Sequence, residues 1–122
     1  MEVTAKKNEH VANMIFASVY PHYLTRLEKN GRTKEELYQV IEWLTGFDED
    51  KLQTLLKEKV TFKTFFEKAD MHSNAHLIKG VVCGYRIEEI ADEFEVYKQC
   101  RRLEKLVDEL AKGRKMEKIL RG

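Results

Sequence analysis

The sequence predicts an all-α protein, a single compact multi-helix domain of about five to seven helices spanning residues 1–122, on three observations. One proline in 122 residues leaves little to interrupt a helix. Ala, Glu, Lys, Leu and Arg make up nearly half of the chain, the bias of helix-dominated proteins. Apolar residues recur at spacings of three and four along most of its length. A hydrophobic content of 43% excludes disorder, and 35% charged residues with a mean hydropathy of −0.54 exclude a membrane protein. With 22 Lys and Arg against 21 Asp and Glu the net charge is +1, no excess that implies nucleic acid or a membrane surface. At this length folding buries roughly two thirds of the extended chain's surface, enough for a core without disulfide or metal staples.

Residues 1–9, MEVTAKKNE, have no apolar periodicity and read as a flexible end. Ser18 is the expected N-cap of the next helix, with Pro21 inside its first turn and Tyr20, Tyr23, Leu24 and Leu27 on one face up to Asn30-Gly31. Thr33 and Glu36 form a capping box. Leu37, Val40, Ile41 and Leu44 then make an inward stripe, and Gly46 stops the helix. Asp48 caps the helix carrying Leu52, Leu55 and Leu56, with Phe47 and Leu52 spaced as a hydrophobic staple. Thr61 opens a short helix whose Phe62, Phe65 and Phe66 are core anchors rather than a base-stacking platform.

From Leu77 to Tyr85 the apolar spacing favours a helix weakened by Gly80 and Gly84; a buried β-segment through Val81-Val82-Cys83 is the competing reading. Residues 86–111 continue helical, as one helix or as two broken near Asp92, and Gly113 ends them. Residues 114–121 form a short basic C-terminal helix with Met116, Ile119 and Leu120 on one side. The expected core is Leu37, Val40, Ile41, Leu44, Leu52, Leu55, Phe62, Phe65, Phe66, Val81, Ile90, Leu103, Val107 and Leu110.

Possible chemistry is sparse. His72, His76 and Cys83 have helical spacings that could share a metal, yet no CxxC exists and Ser73 stands where a zinc-protease helix needs glutamate. No metal and no cofactor are expected. Gly80 and Gly84 lack the lysine and hydroxyl of a phosphate-binding loop. A helix-turn-helix of Thr33 to Thr45, a Gly46-Phe47-Asp48 turn and the following helix would point Asp48, Glu49 and Asp50 at DNA, which phosphate repels. Lys112, Arg114, Lys115, Lys118 and Arg121 oppose only Glu117, but basic residues after a helix complement its dipole, so nucleic-acid binding is not expected. No stretch is long and apolar enough for a membrane. With no signal-peptide pattern, Cys83 and Cys100 read as reduced thiols in a cytoplasmic protein.

Six blocks in order, FASVYPHY at 16–23, GRTKEEL at 31–37, EWLTGF at 42–47, TFKTFFEKA at 61–69, GVVCGYRIEEI at 80–90 and LVDELAKGRKMEKILR at 106–121, resemble a bacterial family catalogued as domain of unknown function 2200. The resemblance implies a bacterial cytoplasmic protein and brings no activity with it. It also implies a proline-containing break within 91–102, where this chain has helix-compatible residues. It draws attention to Tyr20, Pro21, His22, Tyr23, Arg32, Trp43, Cys83 and Arg86, which offer more chemistry than packing requires. Tyr20, His22, Tyr23, Arg32, Trp43, Cys83 and Arg86 form the candidate pocket or partner patch.

The functional expectation is a non-enzymatic binding or interaction protein. Its basis is the lack of a catalytic constellation and the apolar stripes of the last two helices, which could pack on a partner or form a homodimer. The alternatives are a small-molecule or metal-dependent enzyme with its pocket around His22 and Cys83, and nucleic-acid binding through residues 112–122.

Overall fold

The structure, a computed structural model, describes residues 2–122. Among them are seven α-helices: α1 (Ala5–Ala12), α2 (Phe16–Lys29), α3 (Lys34–Thr45), α4 (Glu49–Lys57), α5 (Phe62–Lys68), α6 (Glu95–Ala111) and α7 (Met116–Ile119). Between α5 and α6 lie a hairpin of β1 (Val81–Val82) and β2 (Tyr85–Arg86) and three single 3-10 turns. The all-α expectation is borne out. α6 is the axis, packed by α1, α2, α3, α5, α7 and β1.

Local chemistry explains most boundaries. Thr33 and Glu36 close a full capping box at the start of α3, and Gly46 ends it with φ 76°. Asp48 caps α4 through the Lys51 amide, and Thr61 caps α5 through that of Thr64. α6 ends in a Schellman motif: Gly113 N–H donates to the Leu110 carbonyl and Arg114 N–H to that of Glu109.

The core follows the helical stripes. Leu27, Leu37, Ile41, Leu44, Leu55, Leu103, Leu106 and Leu110 are fully buried. Phe16 stacks on Phe65, with ring centroids 4.0 Å apart, and meets Phe62 edge-on. Tyr85, Ile90 and Tyr97 form a smaller apolar cluster against Val3, Val11 and Phe94. The stripe of α6 and Ile119 of α7, which motivated a homodimer, are buried in the chain's own core.

Several expectations are corrected. The segment expected to be a flexible end is helical over Ala5–Ala12, capped by Thr4 and packed on α6. α2 begins at Phe16, so Ser18 lies inside the helix and is not its cap. The capping role passes to backbone pairing instead: Phe16 N–H donates to the Val60 carbonyl (3.0 Å) and Phe62 N–H to that of Met14 (2.9 Å). Pro21 therefore sits in the second turn and forfeits one helical hydrogen bond.

The favoured helix over 77–85 does not form; the competing β reading is nearer, as a two-residue hairpin pairing Val81 with Arg86 and Val82 with Tyr85. Its turn residues Cys83 and Gly84 have φ of 52° and 81°, the both-positive pattern of a type I′ turn, which helical backbone cannot supply. Strand alternation then turns Val82 inward and leaves Val81 49% exposed, removing it from the expected core. Ile87–Glu89 and Asp92–Phe94 are single 3-10 turns, so α6 starts only at Glu95. The C-terminal helix shrinks to Met116–Ile119.

Candidate binding site

Tyr97, Arg101 and Glu104 are spaced four and three apart, which places them along one face of α6. The Arg101 guanidinium donates to the Tyr97 hydroxyl (Nη2, 2.8 Å) and to the Glu104 carboxylate (Nη1, 2.6 Å). It lies 4.7 Å from the Tyr97 ring centroid and 5.4 Å from that of Tyr85, while the two rings meet edge to face at 5.4 Å. The hairpin brings in Tyr85 from β2 and Cys83 from its tip, where the thiol donates to Glu104 Oε2 (2.8 Å). From α1, Lys7 Nζ donates to the Tyr85 hydroxyl (3.1 Å), and the Asn8 side chain accepts from the Tyr97 amide (3.0 Å). Three elements distant in sequence thus converge on one aromatic and cationic cluster.

The electrostatics follow from these neighbours. The bond from Lys7, then the Tyr97 hydroxyl, lower the Tyr85 phenol below its ordinary value. Burial raises that of Tyr97. Burial opposes the Arg101 charge, but the bonds to Tyr97 and Glu104 outweigh it and hold the guanidinium above its usual range. Cys83 is raised by desolvation and by its bond to Glu104, so at neutral pH it is a thiol donor, not a thiolate nucleophile. Burial pushes Cys100 up to about 12.

Between α1 and α6 runs a groove of about 350 Å³ lined by Lys6, Lys7, His10, Val11, Tyr97 and Arg101. A second recess of about 360 Å³ lies across Tyr85, with Glu2, Arg86 and Glu89 on its walls and so mixed in charge.

The residues singled out from the sequence are only partly gathered here. Tyr23 is buried, and its phenol, raised well above normal by burial, feels Cys100, Glu104, Arg101 and Cys83; its hydroxyl has no partner. His22, next along α2, is exposed. Tyr20 is buried against Phe16, 5.8 Å between rings, and burial raises its phenol too. Trp43 stacks on His72 at 4.1 Å. Arg32 bonds Glu36 (2.7 Å) and the Arg114 carbonyl (3.1 Å), a strap between the start of α3 and the tail. Arg86 is exposed and pairs with Glu88 at 3.4 Å.

The would-be metal residues are separately engaged. His72 accepts from the Asn74 amide, a ring nitrogen of His76 meets the Ser73 carbonyl, and Cys83 bonds Glu104. Among the described residues no group of three or more His, Cys, Asp or Glu side chains is placed to hold a metal.

The basic tail is partly paired. Arg121 grips Glu109 through two bonds of 2.8 and 2.9 Å, Arg114 reaches the same carboxylate at 3.3 Å, and Lys112 pairs with Asp108 at 3.0 Å. Lys115 and Lys118 are exposed and make no ion pair among the described residues.

Lys7, Tyr85, Tyr97, Arg101 and Glu104 were missed as site residues. The Tyr97, Arg101, Glu104 spacing was the one signal in the sequence that could have marked them.

Fold and site together define a class: a small helical scaffold presenting a cationic groove with an aromatic floor. Within it, the chain belongs to a bacterial family of uncharacterised conserved proteins, domain of unknown function 2200, matched over residues 10–121. This agrees with the resemblance carried by the six sequence blocks. The chain is also similar to a solved crystal structure titled uncharacterised protein SP1917. The two are 38% identical with a TM-score of 0.83, over 92% of this chain and 91% of that one. No curated protein matches the chain. Neither the family nor the solved structure is described with an activity, and neither points to an enzyme or to nucleic acid. No helix among the described residues is long and apolar enough to cross a membrane.

Proposed function

We propose that this protein is a non-enzymatic binding protein whose recognition surface is the groove between α1 and α6. One observation carries the reading. The groove is walled by three permanent cations and His10 over an apolar floor of Val11 and Tyr97, and no carboxylate lines it. Concave sites that take small ligands combine such a floor with a few fixed polar groups, and Arg101 is fixed by two hydrogen bonds and two ring faces. Nucleophilic chemistry at Cys83 is disfavoured because its thiol is bonded to Glu104 and held protonated. The two free cysteines are in keeping with a cytoplasmic location. A homodimer through α6 and α7 would need apolar surface that the fold buries, and sedimentation of the purified chain decides that point.

The test is native mass spectrometry of gently purified protein, with Lys6→Glu/Lys7→Glu as the comparison, since both lysines are exposed on α1. A small-molecule adduct on the wild type that the variant lacks is the expected result. A wild type that purifies empty, and whose groove amides do not move when cell extract is added, refutes the reading.

A further inference from the structure

We infer that the ligand class of this groove is a small organic anion, a carboxylate or phosphate head on a flat apolar body; the inference rests on the groove being the recognition surface. Charge comes first. Lys6 makes no ion pair among the described residues, and Lys7 Nζ is held by neutral acceptors, the Glu2 carbonyl and the Tyr85 hydroxyl, each at 3.1 Å. Arg101 has a carboxylate partner in Glu104, but that oxygen also accepts from Cys83. Three cations thus face the groove with one acid, Glu104, to balance them. Glu9, the nearby acid of α1, lines the adjoining recess instead.

The floor comes second. Val11 and the Tyr97 ring offer a bare inorganic ion nothing, whereas an apolar body placed on them would leave water. Size comes third: about 350 Å³ suits a small molecule and not a folded partner. Arg101 is already clamped on two aromatic faces with its Nε buried and unpartnered, so the anion meets a guanidinium that needs little ordering.

The test titrates 15N-labelled full-length protein with naphthalene-2-carboxylate, naphthalene-2-methylammonium and inorganic phosphate, reading the Val11 amide and Arg101 Nε–H resonances. The carboxylate is expected to move both saturably. Its affinity should fall about fivefold in Lys6→Gln, an exposed substitution that spares folding, and should fall again with added salt. If the cation binds as well as the carboxylate at these resonances, the anion class is overturned while the groove stands. Phosphate binding as tightly overturns the amphipathic requirement. If no probe moves either resonance, the groove itself is not the recognition surface and both readings fall.

Discussion

The carboxylate of Glu109 is buried at 7% exposure beneath two arginines from the tail, which makes Arg121→Ala a sharp perturbation. Arg121 presents its two terminal nitrogens to the two oxygens of Glu109, an end-on fork with both bonds below 3 Å. Removing one partner of such a buried pair costs about 3–5 kcal/mol when the other charge is stranded. Here Arg114 remains 3.3 Å from the same carboxylate and is half exposed, so part of the charge stays compensated. The expected loss is therefore about 2–3 kcal/mol, a fall in Tm of about 10 °C for a chain of this size. Urea unfolding followed by far-UV circular dichroism measures it. Replacing both partners, Glu109→Met with Arg121→Met, should recover most of the loss, because no charge is then left buried. A single-mutant cost below about 0.5 kcal/mol would show that the tail is not docked and that its cations are free.

Leu103 is fully buried on α6 at the crossing of the other helices, so Leu103→Ala should lower the urea-unfolding stability by about 3–4 kcal/mol through lost burial and a residual cavity. Stability should also decline on the alkaline side. Cys100 is held neutral up to about 12 in the fold but ionises near 9.0 when unfolded, so its contribution is intact below that lower value and is lost as pH climbs toward the upper one. Cys100→Ala should flatten the slope of stability between those limits without abolishing it, since the Tyr23 phenol is raised in the same direction. In an ultraviolet phenolate titration Tyr85 should ionise before Tyr20, Tyr23 and Tyr97. Lys7→Met should move that first step upward, because the Lys7 bond leads among the causes that lower it.

What was legible in the sequence was local. Thr33 with Glu36, Asp48, Thr61 and Gly113 each act through neighbours within a turn, and each marks the boundary its chemistry requires. α1 was not legible, because AKKNEHVA carries little apolar pattern and its place is fixed by remote partners such as Tyr97. The hairpin hid behind Cys-Gly where Asn-Gly would announce a type I′ turn. Without the turn, Val81 and Val82 look like neighbours on one helical face. For the site, Tyr23 and Cys83 were singled out and do share the Arg101–Glu104 neighbourhood. Lys7 and Tyr85 meet only because the fold closes a gap of 78 residues, which no local motif can signal.

The central position of α6 also sets the order in which this protein can become itself. Nearly every other helix needs it as a packing surface, yet it follows α1 to α5 in the chain and so leaves the ribosome after them. Until it arrives the faces of α1, α2, α3 and α5 that pack on it stay wet, and α1 is held open longest because Asn8 closes on Tyr97. A chain stopped short of α6 keeps the packing of α2 on α3 and α4 and of α1 on α5 but lacks the helix that joins them, and it offers chaperones and proteases the surface the finished protein conceals.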